Sequence, residues 1–358
     1  MKPHRRHAMR HWLAGLARCQ RFAGPTGTLP VASLTRSLPL AVFARILPLA
    51  AFLLALPFTS ARGVATRAEA VNLYQTMYLG ANGIPSGWTG NIAACNDGDV
   101  SAAYRDAGRM RLDYYRAMTG LPGLTFDSVW NAKCQEAALM MTANRSLSHS
   151  PPTSWTCYSA DGAEAAGKSN LAGGYSSLPA AVDGWMSDNG VPSLGHRRWL
   201  LYPPLVTAGI GATFGNSYPA YALWVIGGFG SRPAQPEFVA WPPPTWVPYT
   251  VVFGQWSLSM PGANFAGTTV TMSRGPTSIS VTLQQTPNGY GDNTLAWLPQ
   301  GITGGPPAVD TVYHVQVGNV VVGGQSRDFA YDVTIIDPAA GGAAVETVSW
   351  SMIKRLYR

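Results

Sequence analysis

The hydrophobic period of this chain changes once, near residue 207, and that change decides the fold class. From Ser101 the pattern is helical, with Tyr104, Ala107, Met110/Arg111, Tyr114/Tyr115 and Met118 recurring every three or four positions until Gly120 and Pro122 stop it. Asp127 offers an N-cap to a second helix, in which Val129, Trp130, Ala137, Ala138 and Met141 keep the spacing. Pro179, whose fixed φ suits a first helical turn, opens a third through Met186. Beyond Thr207 the runs are short and β-rich: 207–214 and 221–226 flank a Gly-Asn-Ser-Tyr-Pro turn, as in a hairpin. Helices followed by a small antiparallel sheet predict an α+β domain over residues 95–230, preceded by a helix and loop over 66–94.

Between Gly230 and Pro248 the chain is dense in proline (Pro233, Pro236, Pro242, Pro243, Pro244, Pro248) and nearly uncharged, which predicts a linker over 231–248. Short β-rich runs follow near 250–259, 268–273, 278–284, 294–298, 309–317 and 329–336, each bounded by Gly, Pro or Asn. That spacing predicts an all-β immunoglobulin-like sandwich over 249–340, with a tail over 341–358.

The formal charge of +7 suggests nucleic acid only until it is divided along the chain. Residues 1–65 hold nine Lys or Arg and no Asp or Glu, and removing them leaves 16 basic against 18 acidic residues. No basic patch argues for a nucleic-acid partner. The same segment carries the apolar run Ile46–Phe58, too short and Pro-interrupted to span a bilayer comfortably, followed by the small residues Ser60, Ala61, Gly63 and Ala65. Residues 1–65 therefore read as an export segment and the protein as secreted or cell-surface, with an uncleaved anchor as the alternative. In an oxidising compartment three cysteines remain after it. Cys134 lies on an apolar helical stripe and reads as a buried thiol, whereas Cys95 and Cys157 lie in loop-like sequence and are expected to pair.

Histidine is scarce after residue 65: His149, His196 and His314. His149 sits in Leu147-Ser-His-Ser-Pro-Pro at a helix end, and His196 in Gly195-His-Arg-Arg-Trp-Leu. Between them come Ser169-Asn-Leu-Ala172 and a helix from Ala181 to Asp188 of the form A-V-x-x-W-M-x-D, and after them the Gly209-Ile-Gly strand. This ordered set, over roughly Ala102 to Gly228, resembles the CAP superfamily of cysteine-rich secretory, antigen 5 and pathogenesis-related proteins, bacterial members included.

The resemblance implies a three-layer α-β-α domain with a cleft holding two His and two Glu, which binds a divalent metal such as Zn in some members. His149 and His196 match the two histidines, and Asp188 falls on one Glu position. Ser169 stands where the other Glu would precede Asn170, so Ser169 and Asn170 are candidate cleft residues and Glu164 a candidate substitute carboxylate. Two imidazoles and Asp188 could hold a metal with an open position, or could simply tie together the turns that close the domain.

Three functions compete. An exported, monomeric binding protein would take a lipid, wall polymer or protein in the His-lined cleft, with the sandwich as a surface-contact module. A metal-dependent hydrolase or peptidase would use His149, His196 and Asp188 or Glu164. A third reading makes both parts structural. A nucleophilic role for Ser148, Ser150 or Ser169 lacks a Gly-x-Ser-x-Gly elbow. Arg197 and Arg198 could bind an anion or cap carbonyls, the Trp241–Trp246 run could stack on sugars or seal a junction, and Asp292-Asn293 could bind calcium or form a turn.

Overall fold

Ser101, Asp127 and Ser177 each accept, on a side-chain oxygen, the backbone N–H three residues ahead, and each begins a helix. The computed structural model describes residues 63–302 and 304–341. Its α-helices are α1 (Arg67–Leu73), α2 (Ala102–Met118), α3 (Ser128–Asn144), α4 (Ala160–Lys168), α5 (Leu178–Ser187) and α6 (Gly195–Leu200). Its strands are β1 (Thr125–Phe126), β2 (Ser169–Gly173), β3 (Thr207–Thr213), β4 (Ala220–Trp224), β5 (Val239–Trp241), β6 (Trp246–Pro248), β7 (Trp256–Met260), β8 (Ala263–Asn264), β9 (Thr269–Arg274), β10 (Thr277–Ile279), β11 (Val281–Gln284), β12 (Asn293–Pro299), β13 (Thr311–Val322) and β14 (Gln325–Ile336).

The first sheet has the order β1-β3-β4-β2, with β3 and β4 antiparallel on either side of the Gly-Asn-Ser-Tyr-Pro turn and β1 parallel to β3. Its glycines decide what can cover it. A Cβ on Gly209 or Gly211 would run into the backbone of α3 at Asn131 and Cys134, so only glycine lets that helix lie so close to the strand. Ile210, between them, points to the opposite face, where it meets Gly108 of α2 beside Leu178 of α5. α4 packs on α3 through Gly162, close to Ala137 and Met140. Helices therefore lie on both faces of the sheet, α3 and α4 on one and α2 and α5 on the other.

The later strands form two sheets. One runs β10-β9-β13-β14-β6, with β8 also pairing β13, and the other β11-β12-β7-β5. β13 alternates as a strand with one buried face must: Tyr313, Val315 and Val317 are buried, whereas Val312 and Gln316 are exposed. The sheets face each other across an aromatic core, in which the Trp297 indole N–H reaches Met272 Sδ at 3.2 Å and Trp256 meets Tyr313 edge-on.

The proline-rich stretch 231–248 is not free chain. It supplies β5 to one sheet and β6 to the other, and Val239, Ala240, Trp241 and Val247 are buried. Pro248 is tolerated because β6 is an edge strand, paired on one side only, to β14. The described residues fall in one compact unit. Arg197 Nη1 of α6 donates to Gln255 O at 2.8 Å and Ser257 Oγ at 3.2 Å, and Arg198 donates to the carbonyls of Pro287 and Asp292. Those bonds tie the helical half to the β half.

Cys95 and Cys157 are joined in a disulfide that closes 62 residues of chain, and Cys134 is a buried free thiol. Among the described residues no helix is long and apolar enough to cross a membrane. Residues 1–62 of the expected export segment and 342–358 of the tail lie outside the described residues.

Candidate functional site

α5 ends where Asp188 takes a left-handed backbone conformation (φ 51°) and donates its N–H to Gly184 O at 2.9 Å. Asp188 is buried, and its carboxylate faces the start of α6. Oδ1 lies 2.7 Å from His196 Nδ1, while Oδ2 accepts the Arg197 N–H at 3.2 Å. On the far side of the histidine, Asn170 of β2 donates from Nδ2 to His196 O at 3.1 Å. His196 is thus fixed by both its ring and its backbone, with about a quarter of its side chain exposed, at 26%.

His149 is held differently. It lies in the exposed turn after α3, and its Nδ1 is 2.9 Å from Ala166 O near the end of α4. A carbonyl or carboxylate oxygen only accepts, so Nδ1 carries a proton in both rings, and in the neutral imidazole Nε2 is then the acceptor. Among the described residues no hydrogen bond reaches Nε2 of either ring. Both histidines are anchored to one short segment, Ala166 to Asn170, which leads from α4 into β2.

The remaining candidates are committed elsewhere. Ser169 is buried, with Oγ 3.7 Å from Cys134 Sγ, and burial pushes that thiol up to about 12, far from a thiolate nucleophile. Glu164 is engaged by two lysines. It is bound by Lys133 Nζ at 2.6 Å and Lys168 Nζ at 2.8 Å, and these lysines hold its carboxyl well below the usual carboxylate range, at about 2. Ser148 Oγ accepts the Ser150 N–H at 3.1 Å, which is turn chemistry rather than nucleophile activation. His314 lies on the outer face of β13 against Asp332, and Asp292 is paired with Arg232.

Among the described residues these donors are not gathered as the three protein ligands of a catalytic zinc site. Such a site takes three protein ligands and an open position, whereas here two Nε2 atoms are free, Asp188 is buried with both oxygens engaged, and Glu164 faces two lysines. Among the described residues no group of three or more His, Cys, Asp or Glu is arranged to hold a metal ion. Asp188 instead occupies the place of a carboxylate that orients an imidazole through Nδ1.

Residues 110–226 match the model of CAP, the Cysteine-rich secretory protein family. The match begins within α2, ends just past β4, and contains His149, Asn170, Asp188 and His196. No curated protein matches the chain. The mixed helices and sheet of the matched region agree with the α+β class expected from the change of period.

Sequence reasoning missed the buried arginines that shape the region. Arg116 donates to the carbonyls of Pro122, Leu200, Tyr202 and Leu205, gathering the loose ends of α2 and α6. Arg111 pairs with Asp183, which also accepts from the hydroxyls of Tyr78 and Tyr115. The available signal was a charge inside an apolar stripe: Arg111 follows Met110, and Arg116 sits between Tyr115 and Ala117. For Arg197 and Arg198 the carbonyl-binding alternative describes what the structure contains.

Proposed function

We propose that this is an exported protein whose CAP region binds an extracellular ligand at the surface carrying His149 and His196. The β half, read as an immunoglobulin-like sandwich, acts as a surface-contact module, and the protein works as a monomer. The observation that carries this reading is His196: a part-exposed imidazole oriented by a buried carboxylate, with Nε2 left to meet a ligand. Holding a ring in one tautomer and one direction lowers the entropy lost when a ligand binds it. A lipid, a wall polymer and a protein are the ligand classes in view. The test is a nitrogen-edited spectrum of the histidines in the full chain, titrated with phospholipid vesicles, a soluble wall-polymer fragment and Zn²⁺. A shift of the His196 Nε2 resonance, absent in His196→Ala, supports the reading. No movement with any probe removes it.

The Asp188–His196 pair favours one further reading, hydrolysis with His196 Nε2 as general base and Asp188 as its orienting group. On this reading turnover of a peptide or ester falls in Asp188→Asn as well as in His196→Ala. A metal-dependent form adds bound zinc that His149→Ala/His196→Ala loses. Turnover unchanged in both single variants removes the general-base reading, and zinc content unchanged in the double variant removes the metal.

A further inference from the structure

We propose that the β half carries a second binding site, a cleft between the turn around β8 and the strands β11 and β12, that takes an uncharged polysaccharide. The cleft encloses about 500 Å³, within the usual range for a small-ligand site, and none of its lining residues is ionisable. Five carboxamides converge on it: Asn264, Gln284, Gln285, Asn288 and Asn293.

Each carboxamide keeps hydrogen-bonding capacity unused within the described residues. Asn264 spends Oδ1 on the Ala266 N–H, Gln284 spends Oε1 on Gln255, and Asn293 spends Nδ2 on Ala263 O. The opposite end of each amide remains available, and Gln285 and Asn288 are exposed with no hydrogen bond of their own. A carboxamide offers a donor and an acceptor in one plane, the pattern that adjacent sugar hydroxyls answer. Phe265, half-buried at the rim, supplies a ring face of the kind on which a sugar ring packs.

The lining argues against the other extracellular polymers. An anionic chain would need cations, and Lys and Arg are absent from it. An extended peptide would want an unpaired strand edge with apolar pockets for alternate side chains. β12 is paired on both sides, to β11 and β7, and although β11 is an edge strand, Leu283 is the one large aliphatic residue standing well exposed at this lining, so the apolar pockets are missing. This site gives a chemistry to the surface-contact role proposed for the sandwich and rests on that role. It is independent of the histidines, and because it is read by polymer retention rather than by imidazole resonances, either proposal can fail without the other.

The test is co-sedimentation of the purified full chain with cellulose, chitin, (1→3)-β-glucan and mannan. Heparin-agarose and polygalacturonate serve as charged controls and immobilised gelatin as a peptide control. Retention on at least one neutral polysaccharide, weakened about tenfold or more in Gln285→Ala/Asn288→Ala with thermal stability unchanged, is the expected result. Neither residue carries an internal hydrogen bond, so the double variant should fold. Phe265→Tyr, which keeps the ring, should retain binding. Retention only on the charged polymers or gelatin, on none of the supports, or undiminished in the double variant overturns the proposal.

Discussion

The two halves of this molecule bury different things. In the helical half Arg111, Asp113, Arg116, Asn170, Asp188, Arg197 and Arg198 lie inside, whereas the buried polar residues of the β half are Ser257, Thr268, Thr294 and Thr334, with Asp292 the charged exception among the described residues. The cause is geometric. A strand such as β13 alternates faces, so its polar residues reach water without cost, while α2 and α6 are enclosed and their terminal carbonyls must find donors inside. Arginine, with five donors in one plane, satisfies several carbonyls at once. The helical half therefore adds a few multivalent polar contacts to its apolar core, whereas the core of the β half is almost wholly apolar.

The largest effect should come from Arg116→Met, which keeps most of the side-chain volume but takes a donor from four carbonyls, of which only Tyr202 O keeps another, the Leu205 N–H. Each buried unsatisfied group costs about 1–3 kcal/mol, so a total of roughly 4 kcal/mol or more is expected from urea unfolding. Next comes Cys95→Ser/Cys157→Ser, which opens a 62-residue loop and should cost about 4 kcal/mol on the chain-entropy account. Val317→Ala in the fully buried core of the β half should cost only about 2 kcal/mol. A loss from Arg116→Met no greater than that from Val317→Ala would break the contrast between the halves.

Legibility followed the same division. Ser101 and Asp127 can be read as helix starts because capping is local chemistry, and the runs of β9, β12 and β14 because alternation is local too. α4 was missed because Ala160–Lys168 is short and rich in Ala and Gly, with no apolar stripe long enough to count. The proline-rich stretch read as a linker because its composition is that of one; only tertiary packing puts Trp241 into a core. At the site, the family resemblance grouped Asp188 with His196, but the carboxylate's direction depends on the left-handed turn ending α5, which nothing in the composition announces. Glu164 was a candidate by nearness along the chain, and the lysine of α3 that claims it is 31 residues away.

The smallest effect should appear outside both cores, at Glu164, and its sign is fixed. The Lys133 and Lys168 contacts depress its folded pKa to about 2, below the ordinary glutamate value of 4.5. A carboxylate held below its unfolded value stabilises the fold above the unfolded pKa, and this contribution disappears as pH falls from about 4.5 through about 2. Glu164→Gln should therefore flatten melting temperature against pH in that window, lowering it slightly at pH 7 and matching the wild type near pH 2. Because the pair is exposed, 0.5 M salt should shrink the wild-type slope toward that of the variant, while the loss caused by Arg116→Met should hardly respond to salt. Equal salt sensitivity at Glu164 and Arg116 would mean that water reaches the carbonyls around Arg116, and the distinction between a polar interior and a polar surface would then fail in the helical half itself.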